Sequence, residues 1–411
     1  MIGFSCYVLA DSYFISIAKG ADGLTALNLV MPLYSIIFSI GEMIGVGSAI
    51  RYAISKIKKD ADADDYFWNA LIWCILSSML FVFAGIFFSA DIMRVLGADE
   101  HIVAVGNNYT KIFMCFAPMF MCNYVTNAFV RNDGAPGIAM SATLFSSLFN
   151  IVFDYILMFP MNLGMEGAAL ATALSPIIGM GICSIHFFSK KSSVRLVVCK
   201  PSVRKLVAGS QLGVSAFVGE MSSAVITLAF NFVILKLAGN VGVAAYGVVA
   251  NIAIVTTAVF NGVAQGSQPL ISSCFGRGDK DGCTQLKRMG YTTAFVLAAV
   301  MYSILFIFAG QFVAVFNSEG SEMLRLYATE GVKLYFIGIF FAGINIVGGG
   351  AFSATEDAFK AAVVSVARGF VLILGAVFVM SALFGMTGVW LAYAVAEGIT
   401  TFIMLVMVLR V

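Results

Sequence analysis

Charge is what this chain has least of. Only 11% of its 411 residues are Asp, Glu, Lys or Arg, against about 25% in soluble globular proteins. Hydrophobic residues make up 60%, and the mean hydropathy is +0.96. Such a chain cannot cover itself with polar surface, so its solvent is lipid. Histidine is nearly absent: His101 and His186 stand far apart in the sequence, and there is no zinc motif. The eight cysteines form no Cys-x-x-Cys pair and read as small packing residues rather than metal or redox groups. Net charge is +2, with no run dense enough in Lys and Arg to grip nucleic acid. Alternating strands of a membrane barrel are missing, which leaves helices as the spanning element. No basic region precedes the first apolar run, as a cleaved signal peptide requires. Nothing pairs a nucleophile with a base, and the glycines at 348–350 follow no strand, so they are not a phosphate loop. The expectation is a non-enzyme without a resident cofactor.

What is present is a series of apolar runs. They predict an all-α membrane protein of twelve helices, at 1–18, 25–53, 67–89, 103–129, 137–159, 167–188, 209–238, 242–271, 289–316, 332–352, 360–384 and 388–410. The first is short, about 27 Å at 1.5 Å per residue, and the chain is expected to start late in that helix. One alternate set of connections carries most of the Lys and Arg, including Lys56, Lys58, Lys59, Arg131, Lys190, Lys191, Arg204 and Lys205. The other set holds only Lys19, Arg94 and Arg325. The positive-inside rule then places both termini of a multi-pass membrane protein in the cytoplasm. Pro32, Pro118, Pro176 and Pro269 fall inside spans, where they are expected to bend them.

The sequence repeats itself at a period of roughly 220 residues. Ala26–Asp60 aligns without a gap on Ala245–Asp279, and Gly164-Met165-x-Gly167-x-x-Leu170-Ala171 meets Gly385-Met386-x-Gly388-x-x-Leu391-Ala392. Six helices per half is an even number, so the halves are parallel repeats. The division expected is an N-terminal lobe over 1–188, a basic cytoplasmic linker over 189–208 and a C-terminal lobe over 209–411. Two six-helix lobes around a central cleft suit alternating access.

Within the fifth apolar run, Asp154 is the single ionisable group, and Asn150 lies one helical turn before it on the same face. A carboxylate in lipid demands a partner, a cavity or an ion. Topology puts Asp11, Asp154 and Thr172 about 8–11 Å from the outer boundary at 1.5 Å per residue, with Asn150 one turn deeper. Hard cations take oxygen ligands of these kinds, and two close carboxylates in low dielectric cannot both stay ionised without a cation. The layer therefore reads as a site for a proton, for Na+, or for both. Glu220 sits mid-span and, with Asn345 and Asn127, is a candidate for a substrate cavity. Glu42 and Glu397 read equally as neutral packing groups. Acids among many Phe and Met suit bulky organic cations.

The run Gly262-Val263-Ala264-Gln265-Gly266-Ser267-Gln268-Pro269, followed by Phe275-Gly276-Arg277-Gly278-Asp279, resembles the second-half signature of multidrug and toxic compound extrusion (MATE) transporters. So do Arg131-Asn132-Asp133-Gly134-Ala135-Pro136, Asn150-x-x-x-Asp154-Tyr155 and the stretch from Gly164 to Thr172. The spacing looks closest to the prokaryotic DinF-like branch. The resemblance implies antiport, with organic cations leaving as H+ or Na+ enters. It implies a coupling site at Asp11, Asn150, Asp154 and Thr172, and a helix 7 glutamate at Glu220. The acid that some branches carry in helix 10 is replaced here by Asn345. The implied partners are small organic cations and membrane lipid, with a monomeric chain. A lipid-linked oligosaccharide flippase of the same superfamily is the alternative, but it needs cationic cavity residues.

Overall fold

The computed structural model describes residues 2–316 and 321–409, and the described residues form helices and connections only, with no strand. Lipid forces this outcome, because an α-helix satisfies its backbone without help from water. The segments are α1 (2–19), α2 (Asp22–Lys58), α3 (Asp65–Val95), α4 (Glu100–Cys115 with Ala117–Asn132), α5 (Pro136–Met158) and α6 (Gly164–Phe187). The second half continues with α7 (203–238), α8 (240–276), α9 (Lys280–Ile307 with Ala309–Phe316), α10 (Glu322–Ala354), α11 (358–384) and α12 (386–409).

Glycine, not proline, breaks most of the long runs. Gly20, Gly239 and Gly385 share one conformation, with φ of 59°, 63° and 59° and ψ of −143°, −157° and −136°. Side-chain-bearing residues essentially never occupy that region. Pro32, Pro176 and Pro269 lie inside runs that stay helical around them. Pro118 does mark a bend. The fourth helix, expected to be continuous over 103–129, turns by 45° between Cys115 and Ala117. Proline lacks the N–H to continue the ladder and pushes the residue before it away from helical geometry.

The repeat is written into the backbone. Left-handed residues recur in pairs: Gly20 with Gly239, Lys59 with Gly278, Gly134 with Glu356, and Gly164 with Gly385. Their separations are 219, 219, 222 and 221 residues. Each pair marks the same corner of the two halves.

Two compact units result, 1–217 and 218–411. The division falls inside α7, later than the expected lobe boundary. Close packing within the first unit explains this. A Cβ on Gly47 would overlap the Gly209 carbonyl, and one on Gly213 would overlap the Met43 carbonyl. The start of α7 thus lies backbone to backbone on α2, a crossing that small residues permit. The connection before it is tied down as well. Ser193 N donates to Asp133 Oδ2 at 2.9 Å, Arg195 N to Asp64 Oδ1 at 3.3 Å and Ser202 N to Asn69 Oδ1 at 2.6 Å. Lys205 Nζ reaches Asp65 at 2.5 Å and Asp62 at 2.9 Å.

Each unit has an aromatic interior. In the first, Tyr34 stacks on Phe113 at 3.6 Å, and Phe67 meets Phe129 at 5.0 Å. In the second, Phe230 stacks on Tyr246 at 4.9 Å and Tyr335 on Tyr393 at 4.4 Å. Leu80, Phe83 and Phe87 on α3, and Phe145, Leu148 and Val152 on α5, are exposed, as a lipid-facing surface requires.

Candidate functional site

α5 is polarised in the opposite sense to a soluble helix. Its buried residues are Ala139, Ala142, Ser147, Asn150, Asp154 and Met158, spaced three to five apart along one stripe. Its exposed residues include Met140, Leu144, Phe145, Leu148 and Tyr155. Small and polar groups meet the neighbouring helix while bulk faces lipid, the usual arrangement in membrane bundles. α6 supplies the facing wall with Gly167, Ala168, Ala171, Thr172 and Ser175, all buried. A Cβ on Gly167 would come within 2.8 Å of the Leu157 carbonyl carbon, so the two backbones nearly touch.

That close approach brings Asn150 to Thr172. The two side chains lie 3.1 Å apart. With its amide oxygen turned toward α6, Asn150 accepts from Thr172 N at 3.3 Å and from Thr172 Oγ1 at 3.1 Å, and its amide nitrogen donates to Asp154 Oδ2 at 3.3 Å. Asp154 and Asn150 are wholly buried, and Thr172 nearly so. Asp11, on α1, is 5% exposed and accepts from the Tyr109 hydroxyl at 3.5 Å. Tyr109 is paired in turn with the Tyr34 hydroxyl at 2.5 Å. Asp11 and Asp154 lie within electrostatic range of each other, and Tyr109 within range of both.

Asp11, Asn150, Asp154 and Thr172 therefore form one cluster, all within the first unit. Among the described residues, one oxygen of each carboxyl group, Asp11 Oδ1 and Asp154 Oδ1, is buried without a hydrogen-bond partner. Buried polar atoms are nearly always paired, so each of these two is fit to carry a proton or touch a cation. Two carboxyls, an amide and hydroxyls make an oxygen set of the hard-cation type. The described residues hold no group of three or more His, Cys, Asp or Glu of the kind that binds transition metals.

The expected substrate-cavity residues fare differently. The Asn127 amide donates to Ala139 O at 3.1 Å and to Thr143 Oγ1 at 3.2 Å, tying α4 to α5. Asn345 is 1% exposed and is taken up by Glu397 and Thr401. In this conformation both amides are taken up by neighbouring helices, because an amide in lipid binds the nearest backbone or side-chain partner. Glu220 is half-buried on α7 in the second unit. Glu397 is not a neutral packing group but the acid of a buried ion pair with Arg368, at 2.6 Å.

Sequence reasoning missed Tyr109 and Tyr34. A tyrosine in an apolar run carries no mark of its facing, and only the packing of α2 and α4 brings these two hydroxyls together.

Comparison with known proteins settles the family. The family model MatE matches residues 1–156 and 216–379. The chain belongs to the MatE family. Among curated relatives of this MatE chain is the multidrug export protein MepA of Staphylococcus aureus (strain MRSA252), 27% identical over 405 residues, spanning 96% of this chain and 87% of that protein. MepA of Staphylococcus saprophyticus is 26% identical, with the same coverage. A multidrug resistance MATE family transporter of the MOP superfamily, solved in an outward-facing conformation, superposes with a TM-score of 0.92 at 20% identity, over 100% of this chain and 92% of that one. A MOP superfamily transporter from Pyrococcus furiosus, whose binding pocket is described as having reversed polarity, gives 0.90 at 20% identity over 99% and 91%. The MatE fold expected from the sequence, all-α with several apolar runs long enough to cross a membrane, is the fold found among the described residues.

Proposed function

We propose that this MatE protein exports organic cations across a bacterial cytoplasmic membrane in exchange for inward H+ or Na+, and that Asp11, Asn150, Asp154 and Thr172 form the coupling site. The observation that carries this reading is the pair of neighbouring buried carboxyls, each with one unpartnered oxygen. The name of the MepA relatives, multidrug export protein, supports outward transport of drugs.

The chemistry is electrostatic. Two carboxylates near each other in low dielectric repel, so the cluster is stable only when a proton or a monovalent cation offsets one charge. Asn150 and Thr172 hold Asp154 from α5 and α6, while Tyr109 and Tyr34 hold Asp11 from α4 and α2. Loading changes the net charge at the meeting point of α1, α4, α5 and α6. A ligand shifts a conformational equilibrium only through unequal affinity for its two states. A site whose two acids come from separate helices can supply that inequality, because their spacing changes when the helices move. Cytoplasmic termini fit the distribution of Lys and Arg along the chain, which is read as a monomer. The flippase alternative needs unpaired cations for a pyrophosphate group, and the buried Arg368 is already paired with Glu397.

Ethidium efflux from everted vesicles, energised in turn by a proton and by a sodium gradient, tests the reading and names the ion. Asp11→Asn and Asp154→Asn are each expected to abolish driven efflux at normal expression. Undiminished efflux by both variants would remove the assignment.

A further inference from the structure

The second unit contains a buried ion pair for which the fold has no need. Arg368 Nη2 lies 2.6 Å from Glu397 Oε1, and Arg368 Nε lies 3.1 Å and 3.3 Å from the two carboxylate oxygens. Asn345 Nδ2 donates to Glu397 Oε2 at 2.7 Å and to the Glu397 backbone carbonyl at 2.9 Å. Thr401 holds the other end of that amide, donating to Asn345 Oδ1 at 3.0 Å. Tyr393 reaches both charged groups. The Glu397 side chain is 3% exposed and that of Arg368 16%.

The repeat shows that this pair is not structural necessity. At the 221-residue offset, Arg368 corresponds to Ser147 and Glu397 to Pro176. The first half builds the same helix crossing there without a charge, and Ser147 merely donates to the Thr143 carbonyl at 2.9 Å. Buried ion pairs add little stability over apolar packing. Arg368 also lies in a π turn, Ala367–Val371, inside an otherwise α-helical segment. Such turns hold one extra residue and cluster at functional sites. Converting this one to α would rotate the residues beyond it by about 100° relative to those before. That rotation would draw the guanidinium away from Glu397, while Asn345 and Tyr393 kept the carboxylate in place.

We propose that Glu397, framed by Asn345 and Tyr393, is a binding site in the C-terminal unit for planar guanidinium- or amidinium-bearing cations, held in this conformation by the protein's own Arg368. The carboxylate accepts two N–H donors side by side, which a planar fork supplies and a quaternary ammonium does not. The inference deepens the export reading for one class of substrate, and its binding test stands without that reading.

Purified Arg368→Ala protein is titrated with methylguanidinium in the low millimolar range, and its thermal midpoint is read. The midpoint is expected to start below that of the unsubstituted protein and to rise saturably with methylguanidinium but not with tetramethylammonium. The rise disappears in Arg368→Ala/Glu397→Gln. A midpoint indifferent to methylguanidinium, or raised equally by tetramethylammonium, overturns the proposal. Arg368→Gln, which keeps a hydrogen-bonding side chain at the position, serves if the alanine variant does not fold. In everted vesicles, Arg368→Gln is expected to raise efflux of the bis-amidine dye DAPI relative to ethidium by about tenfold, and an unchanged ratio counts against the site. If the unsubstituted protein moved neither dye, the export reading would fail, and the thermal titration would still decide the site.

Discussion

Asn150 on α5 and Thr172 on α6 meet at 3.1 Å, and through Asn150 the hydroxyl of Thr172 is linked to the carboxyl of Asp154. Thr172→Val keeps the side-chain volume and removes the hydroxyl. The buried amide of Asn150 loses a partner, which costs about 1–3 kcal/mol. Driven efflux is expected to fall about tenfold, while Thr172→Ser stays near the unsubstituted rate. Equal efflux by the Val and Ser variants would show that the hydroxyl takes no part.

The crossing of α2 with the start of α7 gives a second prediction. Gly213→Ala places a methyl group against the Met43 carbonyl, backbone that cannot step aside. Overpacking of this kind costs about 1–3 kcal/mol, and the thermal midpoint in detergent should drop. Gly181→Ala on α6 is the control. Nothing lies within 4 Å of its Cβ, so it should be neutral or stabilising by up to about 1 kcal/mol.

Asp133 predicts an acid limit to stability. It follows the last turn of α4, outside the spans, and accepts from His186 Nε2 at 2.8 Å, Tyr52 at 3.1 Å, Ser192 at 3.2 Å and both the backbone N–H and hydroxyl of Ser193. Burial alone would push its carboxyl up, but these donors hold it below the ordinary 3.8. A folded value below the unfolded one stabilises fully above the unfolded value, and the contribution is lost as pH falls through the folded value. The unsubstituted protein should therefore lose stability below about pH 4. Asp133→Asn should start less stable by about 1–3 kcal/mol, since several buried donors lose a charged acceptor, and show a flatter midpoint-against-pH curve below pH 4.

Glu356 holds a left-handed conformation, φ 59°, at the corner where the first half has Gly134. That conformation costs a side-chain-bearing residue about 1–2 kcal/mol. Glu356→Gly should raise the thermal midpoint without changing efflux. A lowered midpoint would mean that contacts of the Glu356 side chain outweigh the backbone strain.

Local pattern made half of this architecture readable. The one-turn spacing of Asn150 and Asp154 puts both on one face whatever α5 packs against, and a lone acid in an apolar run has to face inward. Thr172 follows from the Gly164-to-Thr172 stretch and its depth. Tyr109 could not be placed, because its facing depends on α4 and on how that bent helix leans against α2. The partners of Asn127 could not be read either, because its amide reaches Ala139 and Thr143 on the next helix, contacts no spacing rule contains. The pairing of Arg368 with Glu397 was hidden for another reason. A 3.6-residue period carried through the π turn at 367–371 aims Arg368 in the wrong direction.

The four matched corners have a historical consequence. Backbone breaks that recur at nearly the same interval in a single chain are what tandem duplication of a six-helix ancestor leaves behind. Side chains have since drifted apart: one copy keeps two neighbouring buried acids, and the other locks a buried acid to an arginine. The skeleton outlived the chemistry it first carried, so each half was free to specialise.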